Sequence, residues 1–459
     1  MQVDNKAARI NQFDFTTPQM RAFHMSWFAF FLCFFAWFGI APLMTVVREE
    51  MDLTDSQVGW CIIGSGALTF LGRLLIGWLC DRIGPRLSYT WLLILGSLPV
   101  MGIGFAHNFE TLLLFRLLIG LIGASFVITQ YHTSVMFAPN CVGTANAMTA
   151  GWGNLGGGVT QFAMPVGFSL LVGTVGVSAF WGWRLSMMIV GVGCLLTGVA
   201  YFFLTQDTPN GNFKDLRAAE NMPDKKAARG SLAAAGDPRV WALFGIYGTC
   251  FGIELTVNNI AAMYFRDCFA TFQQMELEDA VFWTGLAAFA CGGMNIFARP
   301  FGGMISDRFG SRWGLSGRVK WLFAAVFCEG LALMVFSQIK TVTLAIPMLM
   351  VFAILVQMAN GATFSIVPFV NRKALGSVAG IVGAGGNAGA IAAGFLFMGT
   401  LSWPTALLVL GVAVTASSFL AFAVRFSSEA EGEAQTAIRT ALQGRREELE
   451  LAGATSAVG

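Results

Sequence analysis

The chain has 459 residues, 56% hydrophobic and 12% charged, against roughly 25% charged in an ordinary soluble domain, and this excludes a soluble enzyme. A formal net charge of +2 leaves no basic stripe to neutralise phosphates, so nucleic acid is excluded as a partner. Nine cysteines (Cys33, Cys61, Cys80, Cys141, Cys194, Cys250, Cys268, Cys291 and Cys328) form no CxxC pair and have no histidine near enough in sequence to share a metal. No disulfide framework, metal or cofactor is expected.

A helix needs about 20 apolar residues to cross a hydrocarbon core about 30 Å thick. Runs of that kind occur twelve times, near 25–47, 56–80, 87–106, 111–137, 142–172, 182–204, 240–265, 280–306, 319–338, 343–370, 374–400 and 403–425. Before the first lie 24 polar and mixed residues, and no A-x-A-like site follows it. It reads as a retained helix, not a signal peptide. The polar, turn-rich segment 206–239 separates an N-terminal six-helix half (1–205) from a C-terminal half (240–426), and 427–459 forms a polar tail with one helix-forming stretch. The expected fold is an all-α membrane protein of twelve transmembrane helices in two pseudo-symmetric bundles.

With the N-terminus inside, 21 of the 28 basic residues fall in cytoplasmic segments, and only Arg48, Arg184, Arg266 and Lys340 fall outside. The positive-inside rule therefore places both termini in the cytoplasm of a cell inner (plasma) membrane. Arg73, Arg116 and Arg299 remain, inside helices.

The halves repeat each other. RLLIGWLCDRIGPR (73–86) matches RPFGGMISDRFGSR (299–312) at six positions with a constant offset of 226. GASF (123–126) answers GATF (361–364), and GWGNLGGG (151–158) answers AGGNAGAI (384–391). Duplicated halves are the common build of membrane transporters, with a site where they meet.

The GxxxDRxGxR segment, here Gly77, Asp81, Arg82, Gly84 and Arg86, with Gly303, Asp307, Arg308, Gly310 and Arg312 as its echo, resembles the loop signature of the major facilitator superfamily. The motif Gly151, Gly153, Asn154, Gly156, with Gly386, Asn387, Gly389 opposite, is similar to the nitrate signature of the nitrate/nitrite porter family, the NarK type. Segment 247–265 is similar to the seventh helix of that family's nitrate-uptake branch. The resemblance implies the major facilitator fold, rocking about the two loop motifs as conformational switches, and a small inorganic anion, nitrate or nitrite, as substrate.

Arg73 lies eight residues before Asp81, so a rise of 1.5 Å per residue sets it about 12 Å deep, and Arg299 has the same depth. Each costs at least about 2.5 kcal/mol in lipid and must face a wet site or a partner. Two planar guanidinium groups can hold a small planar anion by paired hydrogen bonds. Phe126 and Phe364 are expected to cap that site from opposite sides, with Tyr247, Asn154 and Asn387 shaping it and the backbones of Gly153 and Gly386 abutting it. Glycines at this spacing also serve plain helix packing. Glu254, on one helical face with Tyr247, Phe251 and Asn258, is either a counter-ion to an arginine or a proton carrier. Glu329 is the competitor for the coupling role, with structural pairing the expected one because the ninth helix is peripheral in the family it resembles; His132 is expected to be a packing histidine, His24 and His107 to form no cluster, and Arg116 to be architectural or functional.

No GxxxxGK[ST] occurs, so the driving force is an ion or exchange gradient. The expected activity is proton-coupled nitrate uptake by a monomer in the lipid bilayer. Nitrate/nitrite antiport is the alternative, and transport of another small anion or a non-transporting anion sensor are more distant ones.

Overall fold

A computed structural model describes residues 5–219, 234–275, 283, 287, 289, 292–397 and 401–456. The middle of the expected linker, most of the first part of the eighth expected span with Cys291, the end of the eleventh span and the last residues of the tail lie outside them. The long helices are α1 (Pro18–Phe38), α2 (Asp55–Ile83), α3 (Pro85–Gly102), α4 (Phe109–Met136, with a 3-10 turn at Leu121–Ala124), α5 (Val142–Ser169) and α6 (Ala179–Leu204) in the first half. The second half has α7 (Pro238–Cys268), α8 (298–313), α9 (315–337), α10 (Val342–Val370), α11 (Leu375–Phe397) and α12 (Trp403–Ser417), and the tail forms α13 (Ser428–Ser456). Ten stretches among the described residues are long and apolar enough to cross a membrane, one of them holding both α8 and α9. α2, at 29 residues, is also long enough to span.

Sequence punctuation sets the helix boundaries. Thr17 caps α1 ahead of Pro18, Thr54 and Gln57 form a capping box on α2, and Asn108 with Thr111 does the same for α4. Gly314, at φ 69°, breaks α8 from α9. The chain reverses there, since the Trp321 indole donates to the Gly302 carbonyl at 3.0 Å.

Polarity is inside out. Trp91, Leu95 and Leu98 on α3, and Ile189, Val192, Leu196, Val199 and Phe203 on α6, are exposed at three- and four-residue steps, the stripe a lipid-facing helix presents. Gln130, Asn146, Thr149, Gln357, Asn360 and Thr363 are buried between helices instead.

Both chain ends and the polar connections meet on one face, called here the terminal face. Ala7 bridges to Phe137, Arg318 donates to the Pro139 carbonyl, Ser316 N–H donates to Glu431, and Arg239 donates to the Val370 carbonyl. Gly84, at φ 90°, turns α2 into α3 under the carboxylate of Asp207, which accepts from the Arg86 and Phe213 N–H groups, both at 2.9 Å. A Cβ at Gly84 would strike that carboxylate, so only glycine serves there.

The repeat becomes the interface between halves. A methyl on Gly77 (α2) would overlap the Gly376 carbonyl (α11), and one on Gly303 (α8) would overlap the Gly143 carbonyl (α5). Asp81 accepts from Gly376 N–H, Ser377 N–H and Ser377 Oγ at 3.0, 2.9 and 2.8 Å. Asp307 accepts from Gly143 N–H, Thr144 N–H and Thr144 Oγ1 at 3.1, 2.6 and 2.7 Å. Each carboxylate thus sits on the N-terminus of a helix in the opposite half, where free N–H groups and the helix dipole favour negative charge. The terminal face is closed by these two caps.

Candidate anion site between the halves

Arg73 and Arg299 come together at the centre of the bundle, and both are fully buried. The guanidinium of Arg73 lies 5.4 Å from the ring centre of Phe126 and 5.3 Å from that of Phe251; that of Arg299 lies 5.5 and 5.8 Å from the same two rings. Four aromatic residues form one cluster. Phe126, Tyr247 and Phe251 stack within 13° of parallel, and Phe364 meets Phe126 and Tyr247 edge to face at 4.6 and 4.8 Å. Phe126 and Phe364, expected to cap the site from opposite sides, are in edge-to-face ring contact with each other.

Arg73 donates one bond, from Nη1 to the Gly383 carbonyl, and Arg299 one, from Nη2 to the Tyr247 hydroxyl at 3.1 Å. Nε and Nη2 of Arg73, and Nε and Nη1 of Arg299, make no hydrogen bond among the described residues. Buried guanidinium donors are costly when unmatched, and a small oxyanion satisfies several at once.

Glu254 faces Arg299 Nη1 at 4.0 Å and accepts from Asn295 (3.2 Å) and Asn360 (2.7 Å). Glu254 thus touches one of the two arginines and two amides, and of these contacts only the one with Arg299 is to an opposite charge. Arg73 has no carboxylate within ion-pair distance among the described residues, so its charge is met by no acid in direct contact. Asn295 and Asn360 were not singled out from the sequence, and Phe251 was placed on the face of Tyr247 and Glu254 without a role in the site. That shared face is the signal that could have found its role.

The glycines of the repeated motif bring helices together around this centre. Gly153 packs on the Phe30 ring and Gly156 on the Phe31 backbone of α1; Gly386 packs on Tyr247 and Phe251, and Gly389 on Gly248 of α7. Gly386 thus backs two rings of the cluster. Asn154 and Asn387 are buried, and neither amide has a hydrogen-bond partner among the described residues.

The loop motifs differ within themselves. Asp81 and Asp307 bridge the halves as described. Arg82 and Arg312 lie over Trp78 and Trp313, Arg86 donates to the Phe202 carbonyl at 2.8 Å, and Arg308 is exposed.

Three sequence-based expectations need correction. Arg184 and Arg318 are fully buried although they read as loop charges: Arg184 pairs with Glu50 at 2.7 Å and Arg318 with Asp307 at 2.7 Å. Glu329 is fully buried, and neither carboxylate oxygen has a partner among the described residues, so the structural pairing expected for it is not found there. Arg116 ties α4 to α1 by donating to the Trp37 carbonyl at 3.0 Å. His132 bonds the Tyr201 hydroxyl (2.6 Å) and the Gln206 carbonyl (2.8 Å), a packing role.

Residues 26–370 match the family model described as Major Facilitator Superfamily. Among curated relatives, the chain is 37% identical to the high affinity nitrate transporter 2.5 of Arabidopsis thaliana, over 90% of this chain and 81% of the relative. The chain belongs to the nitrate/nitrite porter family of the major facilitator superfamily. It is also 29% identical to the nitrate/nitrite transporter NrtP of Nostoc punctiforme, over 93% of this chain and 97% of that protein. In fold it resembles the proton:xylose symporter XylE, with a TM-score of 0.66 at 12% identity, covering 89% of this chain and 96% of that one. In this family member the two carboxylate caps and the two central arginines follow the repeat seen in the sequence.

Proposed function

We propose that this chain carries nitrate, with nitrite as a second substrate, across a cell inner membrane by alternating access between its halves, driven by proton entry. The observation that carries the reading is the pair Arg73 and Arg299, buried over the same two rings with four guanidinium nitrogens that make no hydrogen bond among the described residues. A flat, weakly hydrated anion fits between guanidinium edges and aromatic faces. Asn154 and Asn387 supply further amide donors, and Phe126, Phe364, Tyr247 and the Gly153 and Gly386 backbones shape the pocket. The nitrate and nitrate/nitrite relatives support the substrate class. The terminal face is cytoplasmic in this reading, with Gly77, Asp81, Arg82, Arg86 and Gly303, Asp307, Arg308, Arg312 forming the switch that closes it.

Anion entry against an inside-negative potential costs about 2.3 kcal/mol per charge per 100 mV, so about two protons per nitrate make net charge movement favourable. Nitrate/nitrite exchange, which needs no proton carrier, is the second reading; the contact of Glu254 with Arg299 supports it, because in that reading the carboxylate serves only as a counter-ion.

Counterflow of labelled nitrate into vesicles loaded with nitrate, nitrite, chloride or formate tests the substrate, and Arg73→Lys and Arg299→Lys test the site. Nitrate and nitrite inside drive counterflow, and each lysine variant raises the half-saturating nitrate concentration about tenfold or more. Full activity in both variants rejects paired guanidinium binding; equal driving by formate or chloride rejects nitrate selectivity. Glu254→Gln should decouple uptake from protons, and unchanged proton dependence removes it as a carrier.

A further inference from the structure

Glu329 is the buried acid that the anion site does not use. It sits in the middle of α9, and neither of its oxygens has a hydrogen-bond partner among the described residues. The elements around it offer little charge. On α7, Glu254 and Cys250 lie within electrostatic range of it, without a hydrogen bond to it among the described residues. α10 and α12, which pack on α9, contain no Asp, Glu, Lys, Arg or His; α12 supplies Gly411 and Thr415 against the adjoining Gly330. The cation of this region, Arg299, is already matched to Glu254. On α9 itself the neighbouring Cys328 is exposed.

A lone buried carboxylate has no fixed partner to hold its charge, so its charge is answered only by the other charges of the core or by a proton. Charge counting then links it to the anion. With Glu254 and Glu329 both ionised, they cancel Arg73 and Arg299, and an entering anion would leave the core negative. A proton on Glu329 restores neutrality with the anion bound, and a second on Glu254 gives the loaded core one net positive charge. We infer that Glu329 is a second proton-binding group of the transport cycle, loaded in step with the anion and connected to it through Glu254 and Arg299. The step is proton transfer alone: the carboxylate takes a proton from water, forming one O–H bond, and returns it to water on the other face. This rests on the proton-coupled nitrate reading above.

The test reconstitutes the full chain in vesicles holding a pH-sensitive dye and records nitrate and proton entry together for wild type, Glu329→Gln, Glu329→Asp and Glu254→Gln. Protons per nitrate should fall from about two to about one in Glu329→Gln and stay near two in Glu329→Asp. An unchanged ratio in Glu329→Gln overturns the assignment, as does a wild-type ratio of about one that only Glu254→Gln abolishes. Nitrate entry without protons in wild type overturns the coupling and the assignment together, whereas no nitrate movement in wild type overturns the substrate reading itself. If Glu329→Gln does not fold, solubilised wild type in weak buffer replaces it. Nitrate addition must then draw about two protons from solution per anion bound, and uptake of one or none overturns the proposal.

Discussion

Asp81 of α2 holds Ser377 at the start of α11 through both its backbone N–H (2.9 Å) and its hydroxyl (2.8 Å), so a carboxylate of one half caps a helix of the other. Asp307 repeats the arrangement on Thr144 and adds an ion pair to Arg318. Hydrogen bonds to a charged group are each worth about 1.5–3 kcal/mol. Asp81→Asn and Asp307→Asn should each shift the protein away from the closed terminal face, and the double variant further. Spin labels at the exposed positions Lys214 and Lys373 will report longer distances in that order.

Gly77 and Gly303 allow the closest backbone approach between halves. Gly77→Val or Gly303→Val puts side-chain atoms where carbonyls stand, at a cost of about 1–3 kcal/mol for the closed arrangement. Nitrate uptake in vesicles should fall about 5- to 100-fold, with the same label pair showing a widened terminal face. Normal rates with normal distances would mean the helices yield elsewhere.

Phe251 lies under both guanidinium groups. Cation–π contact of this kind contributes about 0.5–2 kcal/mol. Phe251→Leu should therefore raise the half-saturating nitrate concentration about 3- to 30-fold, whereas Phe251→Tyr, which keeps the ring, stays near wild type. Counterflow titrations separate the two.

Arg184 is buried on the face opposite the termini, where it pairs with Glu50 and donates to the Phe180 and Ala106 carbonyls at 2.6 and 3.0 Å. Removing one partner of a buried pair costs about 3–5 kcal/mol. Glu50 is partly exposed, so the lower end applies. Arg184→Met should lower the thermal unfolding midpoint more than Glu50→Gln, because it strands both carbonyls and leaves the carboxylate, among the described residues, only the Trp183 indole as donor, at 2.7 Å. The double variant should be less destabilised than the sum of the singles.

Depth was legible in the chain because a helix rises a fixed distance per residue and a bilayer has a fixed thickness; counting eight residues from Asp81 was enough to separate Arg73 from the loop arginines. Arg318 and Arg184 escaped the same counting. They lie near helix ends, where a loop charge and a buried charge look alike until the partner is known, and their partners Asp307 and Glu50 are far away in sequence. The role of Phe251 was not legible, although its face was, since facing a guanidinium depends on how α7 is rotated about its axis.

The sequence by itself determined the twelve apolar spans, the duplication and the rarity of charge inside them, because hydrocarbon thickness and the cost of burying charge act on local composition. Only the tertiary structure decided which charges are matched. It paired Glu254 with Arg299, gave Asp81 and Asp307 to helices of the opposite half, and left Glu329 without a hydrogen-bond partner among the described residues. Those outcomes depend on helix rotation and close approach across the interface, which act between residues hundreds of positions apart.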